Sequence, residues 1–503
     1  MKEEPGAAKP AKKARKAPLG IRRRHVLVGA GAAAGGLAIT RVLGLHHLGG
    51  DLPTISLPGQ TPTASTVDWI SPLGKPEAQV AQLLRRATFG ATPSEYEQAV
   101  KDGLKKTVDR LIETPAAEPP ALPGADDATQ EKPIKPQELI SWWTDWMLRT
   151  PTPFAERMTL FWHGHFTSDL RKVNLQTPFI YWQNLTWRRN ALGNFHDFVY
   201  QVTIDPGMLR YLDLGTSTGR APNENYSREL MELFTMGVGT FTEDDVRAGA
   251  KALAGWREPI TQAMYDAQVA RAMAQGRNVP KNLQPDTVKT GVFEQQRAYV
   301  GGVKFLGDVR QWDTKSALEK VLSQDSVASF IVTKVLREFV VDQPTDAYVR
   351  RLADGFRKSR FDLKTLMRDV FTSPEFLAPT TYRALVKGPT ELMINMAKAI
   401  EQPALAKPIA QAGQGMGQTL FDPPEVGGWP SNASWISSNN VLARVNFAQA
   451  TLTGIAKLPP FSNAHLTQLD GVVSPATAQL LNSSPDDATR WLILLASPEF
   501  QLK

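Results

Sequence analysis

Pro76-Glu-Ala-Gln-Val-Ala-Gln-Leu-Leu-Arg-Arg-Ala87 is the stretch that sets the fold class. Val80, Leu83, Leu84 and Ala87 recur three and four residues apart, the spacing that puts side chains on one face of a helix. Tyr96, Val100, Leu104, Val108, Leu111 and Ile112 repeat the pattern. The same period predicts helices over Leu139–Leu148, Phe154–His163, Phe195–Val202 and Glu224–Met236. Thr242, with Asp245 three residues on, reads as a capping-box start for a helix running to about Trp256. Periodicity resumes over Ala317–Leu322, Val327–Val340, Ala347–Phe356, Leu363–Phe371, Tyr382–Ile400, Val441–Ala450 and Ala476–Leu481. Strand-like alternation is nearly absent. The expected class is predominantly α: one large multi-helix domain with long irregular loops and little or no sheet.

Outward from this body, residues 49–75 are rich in Pro, Thr, Ser and Gly and read as a linker, leaving 76–503 as the helical domain. Residues 257–300 lose periodicity and become polar, as an insertion or surface excursion would. Phe371-Thr-Ser-Pro-Glu-Phe376 and Leu495-Ala-Ser-Pro-Glu-Phe500 echo each other. In each, Ser before Pro-Glu is a helix N-cap signal; two copies of a helical unit is the sharper reading.

The 503-residue chain has a formal charge of +7, no Cys and seven His. Nine bases stand against two acids in residues 1–25, and the remainder balances. The basic bias therefore belongs to an arm, so no nucleic-acid partner is expected for the folded body. Without Cys there is no disulfide, thiolate site or Cys nucleophile, and any metal must be held by His and carboxylates. Arg22-Arg23-Arg24 precedes a Gly/Ala-rich apolar run from Val26 to Ile39, shorter than the ~20 residues that span a bilayer. Residues 1–48 thus read as a twin-arginine-type export signal, or as an anchor if uncleaved. The expected location is periplasmic or secreted, with membrane contact only through that segment.

Three segments could carry chemistry. In Glu156-Arg-Met-Thr-Leu-Phe-Trp-His163-Gly-His165, Glu156 and His163 lie about 20° apart on a helix, whereas His165 points about 200° from His163 unless the helix breaks at Gly164. In Asn223-Glu-Asn-Tyr-Ser-Arg-Glu-Leu-Met-Glu-Leu233, Asn225, Arg228, Glu229 and Glu232 form a polar arc flanked by Glu224. That arc is either a solvated face of i,i+4 pairs or a converging site. The third segment, Leu420 to Trp435, is a Pro/Gly-rich loop with two tryptophans, able to stack on a ligand or to plug the core. Candidate catalytic residues are His163, His165, Glu224, Arg228, Glu229 and Glu232; a divalent metal would use His163, Glu156 and Glu232. There is no nucleotide or flavin signal, and no Glu-x-x-His pair of the di-iron type. Gly215-Thr-Ser217-Thr-Gly219 lacks the strand and helix of a nucleophile elbow.

From about Gln79 onward, the chain resembles the bacterial family catalogued as domain of unknown function 1800. The carriers are Leu83-Leu-Arg-Arg-Ala-Thr-Phe-Gly90, Phe161-Trp-His-Gly-His-Phe166, Asp205-Pro-Gly-Met-Leu-Arg-Tyr-Leu-Asp213, the Asn223–Leu233 segment, the Trp-bearing loop and the closing Ser497-Pro-Glu-Phe500. The resemblance implies an exported helical protein, with a sulfatase-like partner of the domain of unknown function 1501 family, and no established activity. It places the His and polar-arc candidates within family motifs. Two positions depart from the pattern: Gln82 stands where the family's His is expected, and Gln295, Gln296 and Arg297 where a His-Asp pair is expected. The competing expectation is a non-catalytic envelope protein that docks a partner or surface polymer through the Trp loop and the excursion.

Overall fold

A computed structural model describes residues 70–125, 134–175, 177–280, 283–453, 455 and 457–503. The arm, its apolar run and the linker up to residue 69 lie outside these. The described chain is predominantly α. It begins with α1 (Pro76–Ala87), α2 (Pro93–Glu113), α3 (Pro136–Arg149), α4 (Pro153–His165) and α5 (Leu170–Val173). Next come α6 (Phe179–Asn190), α7 (Phe195–Thr203), α8 (Pro206–Tyr211), α9 (Asn225–Glu229), α10 (Glu243–Ala252) and α11 (Gln262–Ala274). The second half carries α12 (Thr314–Leu322), α13 (Ser326–Phe339), α14 (Asp346–Lys358), α15 (Leu363–Phe371), α16 (Pro389–Ala399) and α17 (Ala406–Ala412). It closes with α18 (Ser438–Thr453), α19 (Ala464–Leu469), α20 (Pro475–Ser483), α21 (Asp487–Ala496) and α22 (Pro498–Gln501).

The helix starts are local chemistry. α1 to α4 each carry Pro in their first turn, where its missing N–H costs nothing. Thr92 with Glu95 and Thr242 with Asp245 form complete capping boxes. Ser373 Oγ accepts from Phe376 N at 3.1 Å and Ser497 Oγ from Phe500 N at 3.2 Å, so both echo motifs cap. Only the second continues as a helix, α22.

One extended core joins α1–α4 to α12–α16 and includes the fully buried Trp143, Trp162, Phe166 and Phe198. Three expectations change. The helix from Thr242 ends at Ala252, because Gly255 turns the chain at φ 123° and Trp256 enters a strand. Tyr382–Gly388 is not helical: the backbones of Leu385 and Lys387 pair with Lys503 and Gln501, and α16 starts only at Pro389. The stretch from Glu224 to Met236 is α-helical only over α9, then widens into a π-turn at Leu230–Thr235.

The 257–300 excursion is ordered at its base. β1 (Trp256–Arg257) pairs antiparallel with β2 (Val292–Phe293), and Arg257 binds both Asp286 (2.7 Å) and Glu294 (2.6 Å). It also carries α11, none of whose residues is buried. A hairpin of β3 (Val303–Phe305) and β4 (Asp308–Arg310) follows. Among the described residues no helix is long and apolar enough to cross a membrane.

Candidate functional site

α4 is buried on nearly every face, so each polar group on it must be matched inside the protein. Glu156 is matched at both of its oxygens. Its carboxylate accepts two hydrogen bonds from Arg188, both 2.8 Å, and one from Trp143 Nε1. Arg188 also reaches Asn184 Oδ1 at 2.8 Å. This buried ion pair ties α4 to α6 and occupies three of the roughly four lone pairs of Glu156.

His163 lies on the same face as Glu156, as the spacing requires, with its ring 5.3 Å from that of Trp143. Its Nε2 accepts from Phe421 N at 3.1 Å, which pins the start of the Trp loop. α4 continues unbroken through His165, so the two imidazoles diverge. His165 Nε2 donates to Phe234 O at 3.0 Å. That carbonyl ends the π-turn, where helix carbonyls lack intrahelical donors. The bond fixes the tautomer, leaving Nδ1 as the acceptor. Burial lowers both histidines to about 3, helped at His165 by Lys334, so both are neutral near pH 7.

The segments of the two candidate motifs therefore touch, but through the Phe234 backbone and not through the polar arc. Arg228 binds Glu243 at 2.7 Å and Glu224 at 3.4 Å, a surface network that includes the expected four-residue pair. Glu229 and Glu232 stay half-buried beside each other; burial, then the Glu232 charge, raises the Glu229 carboxyl. The expected meeting of His163, Glu156 and Glu232 at one ion is not formed. Among the described residues no three His, Asp or Glu side chains are placed to hold a metal. No mechanistic step is routed through one.

The geometry gathers a different set. α4, α13, the Trp loop and Lys503 enclose a cavity of about 260 Å³, near the small end for ligand pockets. Trp429 and Trp435 wall it, and His165 lines it. Gly428, at φ 94°, lets the loop backbone press against the end of α4. Within the cavity, Arg157 binds Glu338 and, at 3.5 Å, Glu391; Lys503 binds the same two carboxylates at 3.2 and 2.8 Å. Although burial opposes ionisation of Glu338, Lys503 and Arg157 hold it at about 2. Lys334 and Arg337 add two more cations, and no carboxylate reaches either among the described residues. Trp429 Nε1, Glu391 Oε1, Arg157 Nε and His165 Nδ1 are buried without a hydrogen-bond partner in the protein.

Family comparison fits this frame. The family model described as Protein of unknown function (DUF1800) matches residues 82–502. The chain belongs to that DUF1800 family. No curated protein and no solved structure matches it. In this DUF1800 chain His163, Glu156 and Asp205 make internal hydrogen bonds, while His165, Trp429 and Trp435 line the cavity.

Both departures from the expected pattern are scaffold positions outside the cavity lining. Gln82 Nε2 donates to Phe376 O at 2.5 Å, and an Arg297 guanidinium N–H donates to Gly215 O at 2.6 Å. Ser217 is likewise structural, accepting from Asn223 N at 3.0 Å. Sequence reasoning passed over Arg157, Lys334, Arg337, Glu338, Glu391 and Lys503. Only Arg157, inside the α4 motif, carried a local signal: a cation on a helix apolar on most sides.

Proposed function

We propose that this DUF1800 protein is an exported binding protein whose cavity takes the acidic, ring-bearing end of a surface saccharide, a uronate being the best-matched class. One observation carries the reading: four cations face two carboxylates in a cavity walled by two tryptophans. The indole faces suit the apolar face of a sugar ring. Lys334 and Arg337 offer charge to a carboxylate, and the unpartnered Glu391 Oε1 and Trp429 Nε1 suit hydroxyls. Hydrolysis through paired carboxyls is disfavoured. That chemistry needs one carboxyl kept protonated, whereas Arg157 and Lys503 ion-pair with both Glu338 and Glu391 and hold Glu338 ionised.

Titration of tryptophan fluorescence with glucuronate and with glucose tests the reading. A saturable change is expected with glucuronate alone, weakened by salt and lost in Trp429→Ala. Equal responses to both sugars, or none to either, overturn it. Export rests on the Arg22-Arg23 pair and the apolar run, and a reporter fusion should stay cytoplasmic once both arginines are changed to Lys.

Partner docking is a second reading, favoured by α11, whose residues are all at least partly exposed, with Met273 69% exposed. The sulfatase-like partner expected from the family would dock on it. Removal of residues 262–274 should then abolish co-purification while leaving sugar binding intact; retention of both sinks the docking reading.

A further inference from the structure

Lys334 stands apart from the two ion-paired cations of the cavity. Arg157 and Lys503 are bound to Glu338 and Glu391, so both carboxylates there are taken. The Lys334 ammonium instead lies 5.4 Å from the centre of the Phe330 ring. The same ring is 6.4 Å from His165, so lysine and imidazole flank one apolar side chain. Arg337, three residues on, lies on the same helix face and lines the same cavity. The charged and titratable groups around Lys334 are thus Arg337 and Glu338 of its own helix, Arg157 and the neutral His165 of α4, Glu391 and Lys503. Burial, then the Arg337 charge, lowers the Lys334 amine below the ordinary lysine range. Desolvation beside a second cation is how a lysine is turned into a nucleophile.

Resting on the anion-binding reading of the cavity, we infer that Lys334 is a carbonyl-reactive amine that forms an imine with a small acidic carbonyl compound. Arg337 would hold the ligand's carboxylate. The Nζ lone pair adds to the carbonyl carbon to form a C–N bond, and one amine proton passes to the carbonyl oxygen, giving a carbinolamine. That oxygen then leaves as water, taking the second amine proton, and the C=N bond closes. No oxidant or reductant enters the step, and water is the sole by-product.

The test incubates the intact protein near pH 7 with glyoxylate, the smallest compound of the class, reduces with cyanoborohydride and maps adducts by peptide mass. Each unit by which a lysine pKa falls raises its free-base fraction about tenfold. Lys334 is therefore expected to label faster than Lys105, an exposed lysine paired with Asp109 on the surface. Arg337→Ala should slow Lys334 labelling and leave Lys105 unchanged. Labelling of Lys334 no faster than Lys105 in the parent protein overturns the inference, and this comparison needs no variant to fold. Lys334→Arg should abolish trapping at this position. Glucuronate binding without trapping defeats the imine alone, whereas loss of selective sugar binding in the parent defeats the reading beneath it.

Discussion

The carbonyl oxygen of Gly164 and the α-carbon of Gly428 approach so closely that a Cβ built on Gly428 would fall 2.1 Å from that oxygen. The contact seats the Trp loop on the last turn of α4, beside His163 and His165. Both partners are backbone, so neither can swing away. Gly428 also sits at φ 94°, which a side chain disfavours. Gly428→Ala is expected to cost about 2 kcal/mol or more and to shift the Trp429 emission. Urea unfolding and the fluorescence spectrum check both; an unchanged midpoint would mean that the loop does not dock as described.

Glu156 and Arg188, each almost wholly buried, form the charge pair at the centre of α4 and α6. Glu156→Gln strands the guanidinium, and about 3–5 kcal/mol of stability should be lost. A chelator should leave the parent's melting temperature unchanged. A chelator-sensitive midpoint restored by zinc or magnesium would instead revive a metal role for this segment.

Asp205 and the two α4 histidines should bend the pH profile in opposite senses. Burial pushes the Asp205 carboxyl up to about 7, against hydrogen bonds from Met208, Gln183 and Gly207. Between the ordinary carboxylate pKa near 4 and about 7, the folded state keeps a proton that the unfolded chain has lost, so stability falls as pH rises. His163 and His165, at about 3 when folded, do the reverse between about 3 and 6.5, because only the unfolded chain takes up the proton. Asp205→Asn keeps an N-cap oxygen for Met208 N and removes the opposing slope. The variant should gain stability more steeply from pH 4.5 to 6.5, and exceed the parent at pH 8 by on the order of a few kcal/mol. Urea midpoints across that range decide it; a variant weaker than the parent at pH 8 would show that the hydrogen bonds of Asp205 stabilise its ionised form enough to keep its pKa from rising on burial.

Gln82→His, which installs the residue expected in the family pattern, should leave glucuronate binding unaltered. Gln82 binds the Phe376 carbonyl and Thr381 Oγ1, outside the cavity lining. The expected change is in stability, about 1 kcal/mol for a buried hydrogen bond remade with a different side chain. A changed affinity would place this position in the site after all.

Helix positions were legible wherever a cap and an apolar stripe coincided: Leu363–Phe371 falls where its period places it, and the Thr242–Asp245 box forms as read. They failed where a distant stretch of backbone competed. Tyr382–Gly388 has the apolar content of a helix but pairs with residues more than a hundred positions away. The polar arc from Asn225 to Glu232 holds only on an unbroken α-helix, and the π-turn at Leu230 alters those angles. His163 and His165 were found by residue type and spacing, and their divergence follows from an unbroken α4. Where each points could not be read from the sequence, since Phe421 and Phe234 lie far along the chain.

The sequence by itself determined the helical class, the caps, the confinement of excess charge to the first 25 residues and the exclusion of cysteine chemistry. Each depends on composition or on neighbours within about one helical turn, where backbone hydrogen bonding transmits the signal. The tertiary structure alone decided which charges share a cavity. Lys503 meets Glu391 across 112 residues and Glu338 across 165, and Arg157 meets Glu391 across 234. Ion pairs closed over such separations leave no periodicity along the chain. They exist because α4, α13 and the Trp loop pack around one core and bring those groups to one cavity.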